Sequence, residues 1–406
     1  MYKNVKACVR TPSAITDFFT CSAGVQQGSV LSPLLFNIFV NDIGEALSDT
    51  TQFSGVNIGI LKILYLLYAD DLTLVSHSRI GLQRLLNNLF QYCCKWKLKV
   101  NLDKSNIIVF RRGGRLKQYE KWYYDNEPMS VTSSQSYLGV VFSWSGSWFQ
   151  AQKTLSEQGN KALFALKSCL RKFGTIPVTT SLKIFDCKIN PILLYGSEIW
   201  GFHSSNEIEA VYNKIMRFTL KLYNKTSIFA LRGELGRVSL RVYKYCRIIK
   251  YWVRLLNMDK HRLTYKCYEF QYANADSNSY NFWAKSVKSL LQNYGFGEVW
   301  LQQGVGDVNV FLTVFKQRCV DIDKQNWSDE IHNSSKLDTY SLFKNNLTLE
   351  PYLTVIENPL FRTALCRFRT STHSLEVETG RVNNVLRGKE FVVFVISGLW
   401  KTNCNF

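Results

Sequence analysis

Residues 68 to 71 read Tyr-Ala-Asp-Asp and stand between two apolar runs, Ile60-Leu-Lys-Ile-Leu-Tyr-Leu-Leu and Leu72-Thr-Leu-Val-Ser. Two short apolar runs joined by a tight polar tip predict a β-hairpin. Adjacent carboxylates at such a tip repel each other, and a cation lying between them reverses that cost. Oxygen-only ligation suits Mg²⁺, and a pair of such ions can activate a hydroxyl nucleophile and stabilise a leaving pyrophosphate. Taken alone, a bare Asp-Asp reads more readily as a solvated turn in which the pair merely caps a hairpin.

The chain has 406 residues, 46% hydrophobic and 14% aromatic, with a formal net charge of +19. That is enough apolar material for two or three packed domains. The excess of cations implies a polyanionic partner, with nucleic acid first and an acidic membrane surface second, against an unspecialised basic surface. Eleven cysteines are scattered without a Cys-x-x-Cys, so neither a disulfide framework nor a zinc site is specified. They read mostly as buried free thiols. The N-terminus lacks a signal-peptide core and no apolar stretch has bilayer length. An intracellular setting, cytoplasmic and nuclear, without membrane attachment, is the expectation.

Residues 1–150 mix strands with helices at Leu31 to Leu47 and Gly81 to Lys97, which predicts an α+β domain. Further strands are expected at Asn106 to Phe110 and Tyr137 to Phe142. Residues 151–256 turn helical: Leu155, Gly159, Ala162, Leu166, Leu170 and Phe173 recur at helical spacing, with Gly174 as a stop. Ser204 and Glu207 form a candidate capping box. A helix from Arg237 to Leu256 carries an apolar stripe (Val238, Val242, Tyr245, Ile249, Trp252, Leu256). Beside the stripe run Arg237, Arg241, Lys244, Arg247 and Arg254. Such a ridge can lie along a phosphate backbone or face water. Lys95 to Lys117 holds eight Lys/Arg against Asp103, and Arg217 to Arg254 holds ten against Glu234. Both are candidate nucleic-acid segments, with Arg241, Lys244 and Arg247 singled out. A polar stretch near Gln271 to Tyr280 reads as a linker. Residues 257–406 look mostly helical, atypical after about 388.

Four segments together resemble the reverse transcriptases of non-LTR (LINE-like) retrotransposons. Gly24-Val-Gln-Gln-Gly-Ser-Val-Leu-Ser-Pro-Leu-Leu-Phe-Asn-Ile-Phe-Val-Asn-Asp42 is similar to the family's Gly-Val-x-Gln-Gly block. Tyr68-Ala-Asp-Asp71 is similar to its metal-binding block. Leu98-Lys-Val-Asn-Leu-Asp-Lys-Ser105 resembles the next, and Tyr137-Leu-Gly139 the primer grip. Leu194-Tyr-Gly-Ser-Glu-Ile-Trp-Gly201 and Gly233-Glu-Leu-Gly-Arg237 extend the likeness.

The resemblance implies a polymerase palm lacking its fingers, followed by a helical thumb. Asp70 would be the principal Mg²⁺ ligand and Asp71 its adjunct, with two ions in a complete enzyme. Tyr68 would lie against the primer end and incoming nucleotide. Gln27, Gly28 and Ser29 would shape the nucleotide and template pocket. Lys104 would be an acid or electrostatic partner for the leaving pyrophosphate, or else a surface lysine. Tyr137, Leu138 and Gly139 would position the primer. RNA template, DNA primer and deoxynucleoside triphosphates are the implied partners. A further Asp expected upstream is not matched, since Asp17 lies on the segment leading into the first block. An N-terminally truncated, inactive polymerase or a non-catalytic basic nucleic-acid-binding remnant are the two expectations.

Overall fold

Helix Arg79–Trp96 organises the first of two units, which comprises Met1–Gln135 and Trp144–Gly146; the second comprises Ser136–Ser143 and Ser147–Phe406. The computed structural model describes residues 5–21, 24–26, 28–48, 54–172, 176–277 and 283–373. Ser78 caps the helix by accepting from the Gly81 N–H at 3.0 Å, and Lys97 ends it in the left-handed region. Its Leu86, Leu89, Tyr92 and Cys93 pack with Ile43, Leu47, Ile107, Trp122 and Tyr124 into one core. Strands are short: among the described residues they form two-stranded pairs, four of them antiparallel and one, Asn106–Ile107 with Ser130–Val131, parallel, while Ser134–Tyr137 pairs with Val140–Ser143.

The helix expected over Leu31 to Leu47 is broken into Ser32–Phe39 and Ile43–Leu47. Asn41 and Asp42 favour turns over helix interior because their side chains compete for backbone hydrogen bonds. The Asp42 carboxylate instead accepts the buried Tyr92 hydroxyl at 2.6 Å. The strand expected at Asn106 to Phe110 is only Asn106–Ile107, and that at Tyr137 to Phe142 is two strands, Ser134–Tyr137 and Val140–Ser143, separated at Leu138–Gly139.

The second unit is helical. Helix Phe149–Lys172 packs closely on the short helix Asn190–Leu193 because Gly159 has no side chain; a Cβ there would lie 2.4 Å from Leu193 Cδ2. A long apolar core joins Leu155, Phe185, Trp200, Tyr212 and Leu240, and a second surrounds Trp252, Trp300 and Phe315. Phe173 and Gly174 lie outside the described residues. The linker expected from Gln271 begins later, since helix Leu263–Ala273 runs through Gln271 to Ala273. Helices Trp283–Asn293, Val308–Asn333 and Pro359–Arg369 follow, and residues after 373 lie outside the described residues.

Gly233-Glu-Leu-Gly-Arg237 is the hub of this unit. Glu234, 0% exposed, accepts from Arg369 at 3.1–3.2 Å and from Tyr352. Arg369 also meets Glu350 at 2.9 Å, and Glu350 pairs with Lys344, 2% exposed. Arg237 forks onto Asp186 and donates to the Tyr212 hydroxyl. At Gly236, φ +60, a Cβ would lie 2.4 Å from the Leu349 backbone nitrogen.

Candidate active site

The Tyr-Ala-Asp-Asp tip is where the two apolar runs turn. Strands Tyr65–Tyr68 and Asp71–Leu74 are antiparallel, with Tyr65 opposite Leu74, Leu67 opposite Leu72 and Tyr68 opposite Asp71. Tyr65, Leu67, Leu72 and Leu74 pack on the first unit's core, which fixes the register. Behind them His77 is anchored to the Gly55 carbonyl, through its backbone N–H at 3.1 Å and its Nδ1 at 2.7 Å. Gly44 makes room for the Tyr65 hydroxyl, which would lie 2.6 Å from a Cβ there.

Only Ala69 and Asp70 separate the strands. Ala69 takes φ 53, a left-handed conformation that costs a residue with a Cβ about 1–2 kcal/mol. Tyr68, 63% exposed, and Asp70 and Asp71, both exposed, therefore project from a rigid, strained tip. Their hard oxygen donors fit a divalent cation such as Mg²⁺. Among the described residues no group of three or more His, Cys, Asp or Glu is placed to hold a metal.

The other expected site residues are distributed as follows. Gly28, φ +84, and Ser29 lie on the loop entering helix Ser32–Phe39; a Cβ at Gly28 would meet nothing within 4 Å. Gln27 lies outside the described residues. Lys104 is exposed on a turn whose N–H reaches the Asn101 carbonyl at 3.3 Å. Leu138, φ 49, and Gly139, φ 78, make the turn after Tyr137. Tyr195 supports that turn: its hydroxyl donates to the Leu138 carbonyl at 2.8 Å, and its ring fills the space beside Gly139. Trp200 Nε1 holds the Tyr195 carbonyl at 2.9 Å, and Arg247 Nη1 the Leu194 carbonyl at 2.8 Å. The sequence marks this segment without showing its task; the aromatic and glycine in Leu194-Tyr-Gly are the available signal.

The basic ridge is corrected. Helix Leu240–Leu256 starts after Ser239, and Lys244 is 5% exposed. Its ammonium donates to Ser205 Oγ at 2.9 Å and to the His203 carbonyl at 3.2 Å, over the Trp200 ring. Burial lowers its pKa against the opposing pull of Glu209. Arg247 is committed to Leu194, and Arg241 lies 3.8 Å from the buried Asp323. Lys244 and Arg247 thus serve the fold. The capping box is corrected too: Ser205, not Ser204, precedes helix Asn206–Leu220, and its hydroxyl serves Lys244 in place of a capping bond. Lys244→Ala is expected to destabilise the chain by about 1–3 kcal/mol, the cost of leaving buried polar partners unmet. Urea unfolding measures this, and the salt dependence of nucleic-acid binding should not move. The cysteines are corrected as well: Cys93, Cys319 and Cys366 are buried, whereas Cys8, Cys94, Cys169 and Cys187 are exposed.

No helix among the described residues is long and apolar enough to cross a membrane. Residues 3–142 match the family model of reverse transcriptase (RNA-dependent DNA polymerase). A probable RNA-directed DNA polymerase from transposon BS of Drosophila melanogaster is 27% identical over 204 residues, 48% of this chain and 22% of that protein. An RNA-directed DNA polymerase from mobile element jockey of Drosophila funebris is 24% identical over 211 residues, 50% of this chain and 22% of that protein. A Pol polyprotein from a type-1 retrotransposable element R2 of Popillia japonica is 32% identical over 249 residues, 57% of this chain and 33% of that protein. The chain thus spans 22% of the length of each of the first two relatives. With an Asp-Asp hairpin inside the matched stretch, the chain carries a reverse transcriptase segment of the LINE-like, non-LTR retrotransposon kind.

Proposed function

We propose that this chain carries the metal-bearing part of an RNA-directed DNA polymerase, and the observation that carries the reading is the exposed, strained Tyr68–Asp71 tip within residues that match the family. Bound Mg²⁺ would lower the pKa of a primer 3′-hydroxyl and offset charge on the leaving pyrophosphate. Asp70 is the principal ligand and Asp71 its adjunct. Tyr68 packs against the primer end and the incoming nucleotide. Gln27, Gly28 and Ser29 form the floor beneath nucleotide and template, where a glycine lets backbone approach substrate. Lys104 stabilises, or donates a proton to, the departing pyrophosphate. Tyr137, Leu138 and Gly139 hold the primer, and the helices beyond form a thumb on the duplex. Residues 1–150 serve as palm, 151–256 as thumb and 257–406 as a C-terminal helical region.

A second reading, a basic nucleic-acid-binding protein without catalysis, is favoured by the carboxylate count among the described residues, because two metals held by one adjacent pair are under-ligated. One experiment separates the readings. The 406-residue chain is titrated with Mn²⁺ by electron paramagnetic resonance and assayed for primer extension on RNA with Mg²⁺. Weak Mn²⁺ binding that Asp70→Asn removes, without measurable extension, is expected. Robust extension by the chain alone would show that its ligand set is complete. Mn²⁺ binding indifferent to Asp70→Asn would leave the tip a solvated turn and favour the second reading.

A further inference from the structure

A cleft of about 580 Å³ in the second unit is lined by six cations: Lys167, Arg171, Lys214, Arg217, Lys221 and Arg362. They come from helices Phe149–Lys172, Asn206–Leu220 and Pro359–Arg369, with Lys221 just past the second. No carboxylate lines the cleft, and among the described residues none of the six is within ion-pair distance of one. Elsewhere in the unit two buried cations are paired with carboxylates, Arg232 with Asp323 and Arg369 with Glu234. Here the charge is left over. Burial lowers the Lys167 pKa, and Lys214 and Arg171 push it the same way. Its ammonium sits 5.0 Å from the Phe218 ring centroid. Arg217 reaches the Thr226 carbonyl at 3.4 Å, and its Nε is buried without a hydrogen-bond partner among the described residues. Like charges held together in a fold destabilise it unless an anion is to be received.

The spacing selects the anion. Lys214, Arg217 and Lys221 follow one another at i, i+3 and i+7, a row roughly 10 Å long at 1.5 Å per residue. Lys167 and Arg171 stand one turn apart. A single phosphoryl group cannot touch all six, whereas two or three successive phosphates of one strand can. The half-buried Phe218 lines the same cleft and offers an aromatic ring against which a base can lie. We propose that this cleft holds a single strand of RNA or DNA by its phosphates, without regard to sequence. The inference stands apart from the Tyr68–Asp71 tip, so Asp70→Asn should leave it untouched.

The test uses the full chain and a fluorescent 20-nucleotide oligo(dT) or oligo(U), with anisotropy read across a salt series. Wild type is compared with Lys167→Gln/Arg171→Gln/Lys214→Gln. Affinity is expected to fall at least about tenfold and the log–log salt slope to shrink by about 2, three contacts at ~0.7 each. The melting temperature of the free variant should hold or rise, because repulsion is relieved; a merely structural role would lower it together with affinity. Should the triple variant unfold, Arg171→Gln alone, at an exposed position, is expected to shrink the slope by about 0.7. An unchanged slope in either variant overturns the proposal. So does displacement of the strand by micromolar dATP or pyrophosphate, which would make the cleft a site for a small polyphosphate.

Discussion

Asp70→Asn is expected to lower RNA-templated DNA synthesis on the order of a thousandfold. The assay needs a complete polymerase, for instance one in which residues 3–142 of this chain replace the matching stretch of the transposon BS relative. Losing a principal ligand forfeits several kcal/mol of Lewis-acid stabilisation, and about 4 kcal/mol corresponds to about three decades in rate. The substitution keeps shape and hydrogen-bonding reach, and its site is an exposed tip, so folding should be unaffected. Asp71→Asn should cost less, as the proposed adjunct ligand. Glu127→Gln, another exposed acid in the first unit, serves as the neutral control. If the Asp70→Asn enzyme keeps more than a tenth of its single-turnover rate, the tip is not the metal site.

Arg369→Ala is expected to destabilise the helical unit by about 3–5 kcal/mol. The reason is the carboxylate it abandons: Glu234 is fully buried, and Arg369 is its only cationic partner among the described ion pairs. Removing one member of a buried pair leaves a charge that the interior cannot solvate. The same guanidinium bridges to Glu350, so two acids lose a partner at once. Against a typical total of 5–15 kcal/mol, such a loss is severe. Urea titration followed by far-ultraviolet circular dichroism measures it. A companion change, Glu234→Gln in the Arg369→Ala background, should recover part of the loss by removing the stranded charge. No recovery would mean that packing, not charge, holds the site.

The Tyr68–Asp71 hairpin is legible in the amino-acid sequence, because two short apolar runs and a polar tip between them specify a turn locally. The register then follows from which residues must be buried. Helix Arg79–Trp96 is legible for the same reason, its apolar positions repeating on one side. Lys244 is not. Helical periodicity assumes one buried stripe, but Leu240, Val242, Lys244, Ile248 and Trp252 are all buried, so the helix is enclosed around much of its circumference. On such a helix a cation's neighbours in sequence do not say whether it meets water. The basic cleft is illegible for another reason: Lys167 and Arg362 share it across nearly two hundred positions. The motif Gly233–Arg237 is visible as a word, but its partners Asp186, Tyr352 and Arg369 are distant, so its structural task is not.

That distance sets an order of events during synthesis. The hairpin bearing Asp70 and Asp71 makes contacts within ten residues and can close in microseconds, as soon as it clears the ribosome. The hub at Glu234 must wait. Its guanidinium partner emerges 135 residues later, and Arg232 waits 91 residues for Asp323. At about 5–20 residues per second the interval is roughly 7–27 s for Glu234, during which its unpaired charge works against burial. The nascent chain thus carries a formed Tyr68–Asp71 hairpin ahead of an unfinished helical unit. Stalling translation between residues 323 and 369 should trap a protease-sensitive intermediate with that unit open.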